Sequence, residues 1–179
     1  MDRQAWTRWR PTVRQRWWLA GGAAFVLVVA LTWALWPASE PDPPPRAREY
    51  LDYTACLLTG DRGIADPQAA PVWAGLQDAS LATRAKVQYL AVTGPQTAEN
   101  GVPFLSSLVQ GACDVIFAAG AAPVGAVGQG APKFPGATFV AVGKAAPAGN
   151  VTVLDDSSAA RVRADVSRLL TDKVRAAAD

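Results

Sequence analysis

Histidine is absent from all 179 residues. That removes Ser-His-Asp and Cys-His nucleophilic machinery, histidine-ligated zinc and imidazole acid–base catalysis. Two cysteines and one methionine are too few for four-cysteine zinc sites or cysteine-ligated iron–sulfur clusters. With no Cys-x-x-Cys pair, a redox-catalytic role has little to rest on. Charge is sparse too: 18% of residues are Asp, Glu, Lys or Arg, against about a quarter in soluble domains. Part of the chain is therefore expected outside water. The length allows one ordinary domain with an appendage and argues against two full domains.

What is present is unevenly placed. Six of the seven tryptophans fall in the first 36 residues, and only Trp73 lies beyond. Residues 1–16 hold five arginines (Arg3, Arg8, Arg10, Arg14, Arg16) against Asp2, a net +4, whereas the remainder carries 12 basic and 14 acidic side chains, a net −2. The basic character belongs to the tail. Nucleic-acid binding is not expected of the body, because phosphate contacts need Lys and Arg gathered on a folded surface.

Residues 17–36, WWLAGGAAFVLVVALTWALW, carry no charge. Twenty helical residues span about 30 Å, the thickness of a bilayer's hydrocarbon core. Trp17 and Trp18 lie at one end, Trp33 and Trp36 at the other, as in an aromatic belt at the two headgroup levels. The reading is a single transmembrane helix behind a basic cytoplasmic tail (1–16), with the C-terminal body extracytoplasmic by the positive-inside rule. A cleaved signal peptide is the competing reading. It fits less well, because the apolar run is long, Trp36 would stand at −3 of the Trp36-Pro37-Ala38 site, and Thr32-Trp33-Ala34 lies inside the run. No cysteine follows closely enough for lipid attachment. Residues 37–48, PASEPDPPPRAR, hold five prolines and read as a semi-rigid extended linker.

From residue 49 the period changes repeatedly. Short apolar runs at 53–59, 86–92, 113–119, 137–142 and 150–154 read as strands, the first, third and fourth closed by Gly60, Gly120 and Gly143. Between them, 68–84 has Val72, Trp73, Leu76, Ala79 and Leu81 at helical spacing. The stretch 98–111 has Val102, Leu105, Leu108 and Val109 behind the capping residue Thr97. Residues 121–131 make a poor, Gly/Ala-rich helix. After Asp155, Asp156 and Ser157 comes a last helix with Val162, Val166, Leu169, Leu170 and Val174 on one face. Continuous apolar strands alternating with helices imply a parallel sheet buried on both faces. The fold expected over 49–179 is an α/β, doubly wound five-stranded parallel sheet in the order 2-1-3-4-5.

In an open parallel sheet, ligands sit beyond the carboxyl ends of the strands at the switch point. That points to Gly60, Asp61, Gly63 and Ile64 after strand one, Thr93 after strand two, and Gly120 and Ala121 after strand three. Asp61 suits a ribose hydroxyl or an amine. The alternative is that these glycines merely end strands. Gly60-Asp61-Arg62-Gly63 matches neither a P-loop nor G-x-G-x-x-G. Asp61, Asp66, Asp155 and Asp156 also fall at carboxyl ends, but Asp66 before Pro67 reads as a turn and Asp155-Asp156 as the lead into a helix, so a carboxylate-based hydrolase is not expected. No cofactor is implied. Cys56 and Cys113 fall near the entry ends of strands one and three, neighbours about 4.8 Å apart in the expected order and so within disulfide reach. An extracytoplasmic body permits the bond. Two buried free thiols are the alternative.

The series ACLLTGDRGIADPQAAPVWAGLQDA (55–79), SLVQGACDVIFAAG (107–120), FPGATFVAVG (134–143) and NVTVLDD (150–156) resembles the N-terminal lobe of the basic membrane protein family. Those are substrate-binding proteins of bacterial ABC importers with the type 1 periplasmic-binding fold. The resemblance implies a binding module for a small, nucleoside-like ligand, associated with the membrane and with an importer. The family encloses its ligand between two lobes, so a single lobe implies weak binding or a homodimer that completes the cleft. A structural or regulatory lobe that has lost its ligand and kept a protein-interaction surface is the alternative.

Overall fold

The computed structural model describes Leu31 and residues 49–178. Apart from Leu31, the basic tail, the 17–36 segment and the proline-rich linker lie outside the described residues, as does Asp179. Among the described residues, no helix is long and apolar enough to cross a membrane.

The lobe alternates strand and helix: β1 (Thr54–Thr59), α1 (Ala69–Thr83), β2 (Lys86–Ala91), α2 (Ala98–Gln110), β3 (Val115–Ala119), α3 (Ala121–Gly130), β4 (Phe139–Val142), β5 (Val151–Leu154) and α4 (Ala159–Ala178). The five strands form one sheet in the order β2-β1-β3-β4-β5, and every pair is parallel. Side chains alternate across it. Leu57, Phe117, Val140 and Val142 bury against α1 and α4 on one face, while Leu58, Ile116, Phe139 and Ala141 bury against α2 and α3 on the other. Helices thus cover both faces, as the apolar runs of β1, β3 and β4 require.

Two expectations need correction. β2 is an edge strand, and Lys86, Gln88 and Tyr89 are exposed on it. It is not buried on both faces, because a strand at the end of the order has a neighbour on one side only. Leu81, placed by spacing on the inward face of the first helix, is 64% exposed, because at about 100° per residue it falls opposite the face that buries Val72, Leu76, Ala79 and Ser80.

Local chemistry accounts for the helix boundaries. Thr97 accepts from the Asn100 amide at 3.2 Å and starts α2. Asp66 accepts from the Gln68 amide at 2.8 Å in the turn ahead of α1. The Gly/Ala composition of α3 serves contact rather than propensity. A Cβ on Gly125 would stand 2.8 Å from Ala98 Cβ, and one on Gly101 2.8 Å from Ala126 Cβ, so α2 and α3 approach as closely as backbones allow. Cys56 and Cys113 are disulfide-bonded, with Cα atoms 5.9 Å apart. The bond ties the middle of β1 to the turn just ahead of β3.

Candidate functional site

An open cavity of about 430 Å³ lies at the carboxyl ends of β3, β4 and β5. Its floor and walls are small: Gly120, Ala121, Gly125 and Gly128 of the α3 segment, with Ala145 and Ala146 after β4. Three polar side chains converge on it, namely Gln68 from the turn after β1, Lys144 after β4 and Asp156 after β5. Gln68 on one side and Gly120 on the other bring the cavity across the gap between β1 and β3, where the strand order reverses.

Glycine geometry shapes the rim. Gly120 adopts φ +98° and serves as the N-cap of α3, a backbone shape that side-chain-bearing residues resist. Its carbonyl accepts from the Val124 amide at 3.0 Å. The helix amides that follow point along the axis toward the cavity, and no acidic residue stands in the first turn. Gly143, at φ +110°, lets the Asp156 carboxylate approach: a Cβ there would lie 3.1 Å from Asp156 Oδ2. The site therefore offers an ammonium, a carboxylate, an amide and free helix-terminal N–H groups around a volume suited to a small polar molecule.

Of the seven residues expected from sequence, Gly120 and Ala121 line this cavity. The other five are engaged elsewhere at the same end of the sheet. The Gly60 carbonyl accepts from the Gly63 amide at 3.0 Å. The Asp61 amide donates to Gln96 Oε1 at 3.2 Å, and its exposed side chain forms no ion pair with any described residue. Gly63 is buried at φ +59°, with the Tyr89 ring 3.5 Å from where its Cβ would be. Ile64 is half-buried against the α1/α4 core. The Thr93 carbonyl accepts from Asn100 Nδ2 at 2.8 Å. The sequence reading missed Gln68 and Lys144 and took Asp156 for the start of a helix. Gly143 closes β4 as Gly120 closes β3, and that parallel was the signal that could have found Lys144.

Asp78 of α1 is held below the usual carboxylate range by hydrogen bonds from Arg163 of α4, whose guanidinium is raised in turn. Glu99 is lowered by its own backbone amide, then by Gln129 and Thr97. The Tyr53 phenol is raised by burial and, secondarily, by the nearby Asp114 carboxylate. Among the described residues, no group of three or more His, Cys, Asp or Glu side chains is placed to hold a metal ion.

No protein-family model matches the chain, and no curated protein matches it. Three solved structures align with it to different extents. A fragment from Peptoclostridium difficile 630 described as a lipoprotein superposes with a TM-score of 0.57 at 14% identity, over 68% of this chain and 98% of that one. A solute-binding protein of an ABC transporter system from Aeropyrum pernix K1 aligns at TM-score 0.48 and 18% identity, over 56% of this chain and 28% of its own length. A transcriptional activator of the comK gene from Bacillus halodurans aligns at TM-score 0.46 and 19% identity, over 56% and 33%. At these identities the first likeness establishes a shared fold and nothing finer, and the other two add no argument.

Proposed function

We propose that the chain is a membrane-anchored, extracytoplasmic binding module without enzymatic activity, held by residues 17–36 and displaying one lobe that takes a small polar ligand. The observation that carries this reading is the open cavity at the carboxyl ends of β3, β4 and β5, with Gln68, Lys144 and Asp156 converging on it. An interaction-only lobe would be expected to close its switch point and engage Asp61 in an ion pair. Here the cavity is open and Asp61 is unpaired among the described residues.

The resemblance of residues 53–170 to the basic membrane protein lobe makes a nucleoside the first ligand to try, and an ABC importer or a second copy of the chain the natural partner to close the cavity. A polar ligand with both hydrogen-bond donors and acceptors suits a lining that includes the Lys144 ammonium and the Asp156 carboxylate. The test is a thermal-shift screen of the detergent-solubilised full chain against nucleosides, bases and other small polar metabolites. A ligand that binds only the folded lobe raises its melting temperature by mass action. A reproducible rise, lost in Asp156→Ala, supports the reading. No rise with any compound at millimolar concentration overturns it.

A further inference from the structure

The exposed apolar surface of the lobe is concentrated at the end opposite the cavity. Four large apolar or aromatic side chains are exposed among residues 49–178: Tyr50, Leu51, Leu81 and Tyr89. Three of them gather around one turn. The Leu51 amide donates to the Arg84 carbonyl at 2.9 Å, Tyr50 is its chain neighbour, and Leu81 stands three residues before Arg84 in the last turn of α1. This turn lies at the amino ends of the strands, where Thr54 pairs with Lys86. A six-residue strand separates it from the carboxyl ends by roughly 20 Å.

Arg84 itself is unusual. It is the C-cap of α1 with φ +65° and ψ +17°, a left-handed position at which glycine or asparagine is the ordinary choice. Its side chain forms no ion pair with any described residue, and the residue is exposed. Of the neighbouring charges, Lys86 pairs with Asp52 at 3.0 Å and Asp114 Oδ2 accepts from the Thr54 amide, while the exposed Glu49 beside Tyr50 forms no ion pair with any described residue. The Arg84 guanidinium stands amid two leucines and a tyrosine.

The chain enters the lobe at this same end, at Glu49. If residues 17–36 are the anchor, twelve residues precede Glu49, a reach of no more than about 40 Å. We propose that the Tyr50–Leu51–Leu81–Arg84 patch is a bilayer-docking surface: the leucines and the tyrosine ring enter the headgroup zone, Arg84 meets lipid phosphate, and the cavity is thereby turned away from the membrane. This inference rests on the anchor reading above. Amphipathic Tyr and Arg side chains suit that zone because each has an apolar body and a polar tip. Exposed leucines on a tethered lobe are drawn in by burial of their apolar area.

The test uses the full chain reconstituted in phosphatidylethanolamine/phosphatidylglycerol vesicles containing a lipid with a nitroxide on its headgroup. The native cysteines are bonded to each other, so a single added cysteine takes a fluorophore: Ala82→Cys beside the patch, or Ala146→Cys at the cavity. Headgroup quenching is expected to be at least five-fold stronger at position 82 than at 146. It should fall to the 146 level in a Leu51→Ser/Leu81→Ser background whose melting temperature is unchanged. Equal quenching at both positions, or quenching that survives the double substitution, overturns the proposal. Self-quenching at position 82 that depends on protein density, without nitroxide quenching, assigns the patch to a second copy and overturns it too. Carbonate extraction separates the two readings. A chain that resists extraction yet shows equal quenching keeps its anchor and loses its docking surface, whereas a chain stripped from the vesicles loses both.

Discussion

Cys56 of β1 is bonded to Cys113, 57 positions further along the chain, and the Gln88 side-chain amide of β2 donates to Cys56 Sγ at 3.1 Å. One bond joins β1 to the turn that launches β3, and a neighbouring strand caps it. Cys56 is fully buried and Cys113 nearly so, which keeps reductants out.

The chain-entropy model gives about 4 kcal/mol of stabilisation for a closed loop of this length. A Cys56→Ser/Cys113→Ser chain should lose stability on that order in denaturant titrations. Gln88→Ala should leave the bond intact, since the amide is an accessory contact on an edge strand.

Close helix contact on the opposite face has its own signature. A Cβ on Gly75 of α1 would stand 2.5 Å from the Arg163 carbonyl of α4, and backbone cannot give way as a side chain can. Gly75→Ala should destabilise by about 1–3 kcal/mol through this overpacking. Gly128→Ala meets nothing within 4 Å and should be neutral or slightly stabilising, because alanine is the better helix former. Thermal unfolding of the two variants side by side checks the contrast.

Much of this architecture is legible in the sequence. Largely apolar runs closed by Gly60, Gly120 and Gly143, alternating with helical spacings, specify a parallel sheet covered on both sides, and the order that follows places Cys56 beside Cys113. The expected order already set β2 at an edge, but its exposure is not legible in the same way: KVQYLA is as apolar as a central strand in its second half, yet Lys86, Gln88 and Tyr89 are exposed. The cavity is half legible. Gly120 and Ala121 follow from the carboxyl-end rule, but Gln68, Lys144 and Asp156 come together from three separate loops whose approach depends on the left-handed turns at Gly120 and Gly143.

Acid should loosen the contact between α1 and α4. The Asp78 carboxyl is lowered in the folded lobe by its hydrogen bonds from Arg163. Its contribution is therefore present above the unfolded-state carboxylate pKa of about 4 and is lost as pH falls through the lower folded value. Asp78→Asn should lower the melting temperature near neutrality and change little at the acid end, which flattens the acid limb of the profile. With no histidine in the chain, wild-type stability between about pH 5.5 and 8 should vary little.

The polar lining of the cavity makes separable contributions. Lys144→Ala and Asp156→Ala should each weaken ligand binding about ten-fold or more while leaving the melting temperature of the free lobe within about 2 °C, since exposed loop side chains contribute little to folding. Asp61→Ala, which removes a side chain outside the cavity lining, should change binding less than either. Calorimetric titration of the three variants with one ligand checks the order.

The most direct measurement is an assigned amide spectrum of the full chain in detergent micelles, titrated with a nucleoside. The proposed function predicts saturable shifts concentrated at Gly120, Ala121, Gly143, Lys144 and Asp156, at the carboxyl ends of β3, β4 and β5. Shifts confined to any other surface, or none at millimolar nucleoside and none with the other metabolites screened, would contradict it.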